Sequence, residues 1–328
     1  SPTATEEWSF PSAPVVQLGQ VWYNTSSTTY KAHVAQGTGS WSSGAALNTG
    51  RGLNSGVGNT TAGLVFAGFT HPPSTARANT ESYNGSTWTE VGDLNQARYT
   101  VAKGGLGTTT AALCIGGEPA SGVPGQQHES WNGSSWTETT DTNSKKLKSG
   151  GAGTSTAGFV FGGVASGPNA PLKANAETWD GTSWTEVSDL NSGRGDGAGV
   201  GIQTSASYTG GEEPSTTGKT ETWDGSAWTE TGDMNTARYS ISGTGANNSN
   251  GLVFAGYNPS GAVTGLTEQF NGSSWTELSD ISTSRAGTAP GSSFGTTSSF
   301  AAGGYPPSGL TATEEWSVPA GTKTLSIA

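Results

Sequence analysis

The chain is short of the side chains on which much chemistry depends. Cysteine and methionine occur once each and histidine three times in 328 residues. A single cysteine cannot form a disulfide within the chain, and in the apolar run AALCIGG Cys114 reads as a buried small residue. His33, His71 and His128 stand too far apart in sequence to suggest a zinc cluster, so no metal or other cofactor is expected. Bases are few as well: 14 Lys and Arg face 25 Asp and Glu, a formal net charge of −11, and no basic run is present. Without a basic stripe to neutralise phosphates, nucleic acid and anionic membrane surfaces are not expected partners. Long hydrophobic runs are missing too. GLVFAGF at 63 to 69 falls far short of a membrane span, and the N-terminal residues lack the charged and apolar regions of a signal peptide, so no membrane insertion is expected. A first residue of Ser rather than Met is compatible with processing, or with a place inside a longer protein.

Leu, Ile, Val and Phe make up only about 14 per cent of the chain, low enough to raise the question of disorder. The twelve tryptophans argue against it, because disordered chains are poor in aromatics. The 52 glycines fit a protein built from many tight turns.

Those tryptophans are periodic. NGSTWTE (84 to 90), NGSSWTE (132 to 138), DGTSWTE (180 to 186), DGSAWTE (224 to 230) and NGSSWTE (271 to 277) place Trp88, Trp136, Trp184, Trp228 and Trp275 at intervals of 44 to 48 residues. A degenerate copy, GTGSWSS, puts Trp41 another 47 residues upstream. Three signals travel with each Trp. After it comes a basic position held by Arg51, Arg98, Arg194, Arg238 and Arg285, with Lys145 or Lys146 as the counterpart in the third copy. Next comes an apolar run closed by glycine, as in LVFAG (64 to 68) or FVFGG (159 to 163). A Glu-x-aromatic segment such as ESYNG then precedes the next Trp.

Each unit reads as four short strands: one after the basic residue (a), the apolar run (b), the Glu-x-aromatic segment (c) and the Trp segment (d). Asn-Gly or Asp-Gly between c and d predicts a tight hairpin of type I′, which needs positive φ at both central residues. Helical periodicity is absent. One four-stranded sheet cannot bury both faces, whereas six arranged radially can, so the expected fold is all-β, a six-bladed propeller of antiparallel blades. An Arg, an apolar run ending in glycine, an aromatic third strand and a Trp soon after it, at this period, resemble kelch repeats over about residues 37 to 317. The resemblance implies the fold of the central domain of galactose-oxidase-like enzymes.

TATEEWS occurs twice, at 3 to 9 and at 311 to 317. The last blade, from Arg285, holds a, b and c but lacks its own Trp strand, while Trp41 has no a or b strand before it. Trp41 is therefore predicted to complete the last blade, closing the ring and removing exposed edges. The C-terminal TATEEWS then serves as strand c of that blade, and the N-terminal copy is surplus. The domain reading is an N-terminal extension over 1 to 36, the propeller over 37 to 317 and a tail strand over 318 to 328. In the extension, VWYN and TYKAHV alternate around NTSST and predict a hairpin.

Enzyme chemistry is weakly supported. The copper site of the galactose-oxidase family needs His and Tyr ligands with a thioether-forming Cys, and Cys114 has neither type beside it in sequence. The sialidase Asp-box, Ser-x-Asp-x-Gly-x-x-Trp, fails on spacing, because Asp180 adjoins Gly181 directly. Glu81, Glu129, Glu177, Glu221, Glu268 and Glu314 recur once per blade and, with the Arg series, read as ion pairs and turn caps that serve the scaffold. The Asn-Gly-Ser triplets match a glycosylation acceptor pattern, but the hairpin already accounts for them.

Function is expected where the copies differ, in the b-to-c loops. These should emerge on one face beside the d-to-a connections, with His71, Arg77, Glu118, His128, Lys173, Glu212, Tyr257 and Tyr305 as candidate binding side chains. GQVWYNTSSTTYKA before a Gly-rich turn resembles segments of tail-fibre and other structural proteins of tailed bacteriophages, and blades rich in NGSxWTE are similar to predicted virion proteins of marine phages. The resemblance implies a virion or extracellular location and a non-enzymatic role in adhesion and host recognition. The expected partner is a host-surface glycan, by carbohydrate binding, or a neighbouring virion protein. A purely structural subunit is the alternative, and a homo-oligomer or tandem propeller is compatible with either.

Overall fold

A computed structural model describes residues 21–24, 29–35, 37–71, 74–104, 106–119, 125–165, 171–291, 295–306 and 308–325. Residues 3 to 9, the first TATEEWS, lie outside them. The described chain divides into two compact units, Ser40–Ser317 and a smaller one formed by the segments flanking it on both sides.

The larger unit is a six-bladed β-propeller of four-stranded antiparallel sheets. Blade 1 runs Ser55–Asn59, Ala62–Phe66, Thr80–Tyr83, Trp88–Glu90. Blade 2 follows as Gly107–Thr108, Ala111–Ile115, His128–Trp131, Trp136–Glu138. Blade 3 is Gly150–Gly153, Gly158–Phe161, Ala176–Trp179, Trp184–Val187, and blade 4 is Ala198–Ile202, Ser205–Thr209, Thr220–Trp223, Trp228–Thr231. Blade 5 is Ser242–Asn247, Asn250–Phe254, Thr267–Phe270, Trp275–Glu277. Blade 6 takes Ala289–Pro290, Ser298–Ala302 and Thr313–Ser317 from the end of the chain and its outer strand, Ser40–Ser43, from the beginning. Trp41 lies opposite Trp316, with Ser40 opposite Ser317, so the ring closes as the repeat count predicts.

The hairpins between strands c and d differ from the predicted two-residue turn. Tyr83 and Trp88 are the last paired residues, four residues connect them, and of these only Gly85 has positive φ. The Asn84 carboxamide oxygen instead accepts the N–H groups of Ser86 and Thr87 at 3.0 and 2.9 Å. Asp180 and Asp224 do the same in blades 3 and 4, so Asn and Asp are interchangeable here because each offers an oxygen acceptor.

Each outer-strand tryptophan works as a wedge between blades. Trp136 meets Phe66 of the preceding blade with ring centroids 4.9 Å apart, and Trp228 on Phe161 and Trp41 on Phe254 repeat the contact at the same separation. The aromatic of strand c stacks on it from within the blade, as Tyr83 does on Trp88. Large-to-small changes at such buried rings cost about 3–5 kcal/mol.

The connector from one blade to the next supplies a polar staple. Arg98, fully buried, donates to Glu129 at 2.6 Å and to the Gln127 carbonyl at 2.9 Å. Three residues earlier, Asn95 donates its backbone and side-chain N–H groups to the same carboxylate and its side chain also to the Trp136 carbonyl. The pattern recurs around the ring: Arg51–Glu81, Arg194–Glu221, Arg238–Glu268 and Arg285–Glu314 are buried pairs at 2.6 to 3.2 Å. In blade 3 the counterpart is Lys146, whose single ammonium reaches both Glu177 at 3.2 Å and the Asn175 carbonyl at 3.1 Å.

In the smaller unit, Val21–Asn24 and Thr29–Ala35 pair antiparallel, and Ala320–Leu325 adds a third strand along the latter.

Candidate functional site

Two residues beyond each basic residue of the staple, the six connectors meet. Leu53, Thr100, Lys148, Asp196, Ser240 and Gly287 all have φ between +51° and +66°. That shared left-handed turn aims each N–H at the carbonyl of the preceding connector. Leu53 donates to Gly287, Thr100 to Leu53, Lys148 to Thr100, Asp196 to Lys148, Ser240 to Asp196 and Gly287 to Ser240, at 2.7 to 3.0 Å, a closed circle of backbone hydrogen bonds. Five of the six residues carry a Cβ in a conformation that favours glycine, and the circle of bonds holds them there. The backbone is the same six times; the residues are five different side chains and a glycine.

The residues just outside this circle form a second tier. The connector residue next to the basic one bridges the residue that follows strand b of the same blade: Gly52 with Phe69, Tyr99 with Glu118, Leu147 with Val164, Gly195 with Glu212, Tyr239 with Tyr257 and Ala286 with Tyr305. The b-to-c loops and the connectors therefore share one face, as expected from the repeat. Phe69 packs on Tyr99 at 4.8 Å, Tyr239 stacks on Tyr257 at 5.1 Å and an interplanar angle of 22°, and His71 meets Tyr305 edge-on at 6.5 Å. Blades 5, 6, 1 and 2 thus contribute an arc of half-buried aromatics around the centre, with His71 exposed at its margin.

Opposite this arc, two circle residues join Lys103 and Glu212 in a charged group. Asp196, buried, lies between Lys103 at 3.3 Å and Lys148 at 3.0 Å, and Lys148 faces Glu212 at 4.0 Å. Burial opposes ionisation of Asp196, but the two ammonium groups hold its carboxyl at about 2. The same carboxylate raises Lys148, and burial raises Glu212. Burial and contact with Glu118 push the Tyr99 phenol up to about 12, and burial beside Tyr305 and Tyr239 does the same to Tyr257. At neutral pH these phenols are uncharged.

Lys103 has a further consequence. The glycine at the end of strand a lies seven positions after the basic residue in four blades, at 51 to 58, 146 to 153, 194 to 201 and 238 to 245; in blade 2 the offset is nine, from 98 to 107. Within the longer segment Lys103 bridges Gly150 in parallel register, and its ammonium reaches Asp196 of the connector two blades away. At Gly104 a Cβ would fall 1.9 Å from the Gly151 carbonyl oxygen and 2.7 Å from that of Gly199. Three blades therefore converge on this insert, and only glycine fits there.

Of the residues expected on the face, His71, Glu118, Glu212, Tyr257 and Tyr305 lie in or beside the second tier. Arg77 is half-buried, its Nε donating to Thr70 at 3.2 Å, and Lys173 is half-buried with its backbone N–H on Gly163. His128 stands apart from them. It is the first residue of a strand, fully buried, with Nδ1 accepting from Trp184 Nε1 at 3.2 Å, because it occupies the place held by threonine in four other blades. Sequence reasoning passed over the six circle residues, Phe69, Tyr99 and Tyr239. Their signal is positional: fixed offsets from the basic residue or the glycine pair at which the side chain changes from copy to copy. Cys114 is buried, and burial pushes its thiol up to about 11. Among the described residues no three His, Cys, Asp or Glu side chains gather as metal ligands, and no helix is long and apolar enough to cross a membrane. No protein-family model matches the chain, and no curated protein matches it either.

Proposed function

We propose that this is a non-enzymatic binding propeller of the kelch type, displayed on a phage virion or another extracellular assembly, and that it recognises a host-surface glycan through the face of b-to-c loops and connectors. One observation carries the reading: six connectors with one backbone geometry place five different side chains and a glycine at the centre of that face, ringed by aromatics and carboxylates. The residues repeated in every blade are buried in staples and wedges, which leaves the variable face for recognition. Aromatic rings flanked by hydroxyl and carboxylate acceptors match the alternating apolar and hydroxyl surfaces of a sugar. Weak single sites gain strength when many copies are displayed together.

A glycan array probed with wild type and with the His71→Ala, Tyr257→Ala, Tyr305→Ala triple variant tests this. We expect a defined set of glycans bound by wild type and lost from the variant. Identical profiles for the two proteins would remove the face from consideration.

A further inference from the structure

We propose that the closing blade contains a strand-acceptor site for which residues 3 to 9 are a second ligand, and that the donor is another copy of this chain supplying that heptapeptide to a closing blade whose own third strand is not in place. The site is the gap between Ser298–Ala302 and Ser40–Ser43, filled here by the chain's own Thr313–Ser317.

The polar contacts that seat this strand come from residues 311 to 317 and from Leu310, which donates to the Gly304 carbonyl and accepts from the Arg51 N–H. Leu47 N–H donates to the Thr311 carbonyl, Gly303 N–H to that of Ala312 and Gly44 N–H to that of Thr313. Glu314 accepts from the backbone of Ser282 at 2.7 Å and pairs with Arg285 at 3.2 Å, while Glu315 accepts from Tyr83. Trp316 Nε1 donates to the Thr296 carbonyl at 2.9 Å, and its ring lies 5.4 Å from Trp41.

Residues 3 to 9 repeat this heptapeptide without a change, so Glu6, Glu7 and Trp8 offer the groups of Glu314, Glu315 and Trp316. The likeness continues for two positions, Phe10-Pro11 against Val318-Pro319, and then fades. Repetition therefore covers the stretch that makes the side-chain contacts and two residues that lead out of it, but not Leu310, whose counterpart Pro2 has no N–H to donate. One chain thus carries two copies of the strand and one site that takes a single strand. Pairing through a sheet edge with pockets for alternate side chains is an established mode of peptide capture, and exchange of identical elements between copies is a low-cost route to assembly. The own-strand copy runs directly into Ala320–Leu325, which pairs with Thr29–Ala35. That leaves the N-terminal copy as the donor.

The test uses full-length protein carrying Glu6→Ala, Trp8→Ala, Glu314→Ala and Trp316→Ala, in which both internal copies are disabled. The probe is a labelled synthetic peptide of residues 1 to 12. We expect saturable one-to-one binding with a rise in melting temperature, and binding at least about tenfold weaker for the peptide carrying Trp8→Ala, as befits loss of a buried indole. Wild-type protein, with its site filled, should not bind the peptide. The proposal is overturned by equal binding of both peptides, by binding to wild type as strong as to the variant, or by no binding at all. Should the quadruple variant not fold, Glu6→Gln, Trp8→Phe, Glu314→Gln and Trp316→Phe give a milder acceptor for the same comparison.

Discussion

Trp228, alone among the six outer-strand tryptophans, has an indole N–H without a partner. The others donate to a neighbouring blade or its connector: Trp136 to Thr80 at 2.9 Å, Trp275 to Thr220 at 3.1 Å and Trp41 to Thr267 at 3.0 Å. The place of that threonine beside Trp228 is taken by Ala176. Ala176→Thr should supply the missing acceptor and stabilise the protein by about 1 kcal/mol, read as a higher urea midpoint with unchanged slope. His128 holds the same place in blade 2, and there pH enters. Burial lowers its imidazole to about 4 from the ordinary 6.5, so the unfolded chain takes up a proton that the folded one refuses. Stability is therefore full above pH 6.5 and falls as pH drops towards 4, by up to about 3 kcal/mol. Urea midpoints at pH 7 and pH 4.5 should differ less in His128→Thr than in wild type. The tryptophan period of the sequence marks the wedge but not its acceptor, because the threonine partner lies 55 or 56 residues upstream of Trp275 and Trp136 and 226 downstream of Trp41, one threonine among many.

At the scale of the element, the connector does most to join the blades. Its staple places an Arg or Lys and a donor from the residue three positions earlier on one carboxylate of the next blade. Removing the charge of that carboxylate strands a buried guanidinium, so Glu129→Gln should cost about 3–5 kcal/mol, measured by equilibrium unfolding. The Arg and Glu series were legible as ion pairs because they recur at fixed positions. The partnership with Asn95 and its equivalents was not, since an Asn after Leu reads equally well as a turn residue. The choice between Lys145 and Lys146 needed the structure: only the second reaches Glu177. The c-to-d turn was placed correctly by its Asn-Gly pair but not typed, because Asn84 acts through its side-chain oxygen rather than through positive φ.

For the molecule as a whole, the strand count alone foretold that the two ends of the propeller meet in one blade. Closure makes a further prediction. Trp41→Ala removes the contacts with Phe254 and Trp316, so it should destabilise by about 3 kcal/mol, and amide exchange should quicken first in Thr313–Ser317 while Thr220–Trp223 stays protected. The hydrogen-bonded circle was not legible, because a left-handed turn held by Leu, Thr, Lys, Asp and Ser carries no glycine signature in five of its six copies. The two-residue insert carrying Lys103 alters a spacing in the sequence, but its reach to Asp196 depends on ring geometry. Repeated residues hold the ring, and the variable face is the one proposed to bind. Adsorption to bacterial cells, measured beside thermal melts for wild type and the His71, Tyr257 and Tyr305 triple alanine variant, tests it most directly. Lost adsorption at an unchanged melting temperature is the predicted result; undiminished adsorption by the variant would contradict it.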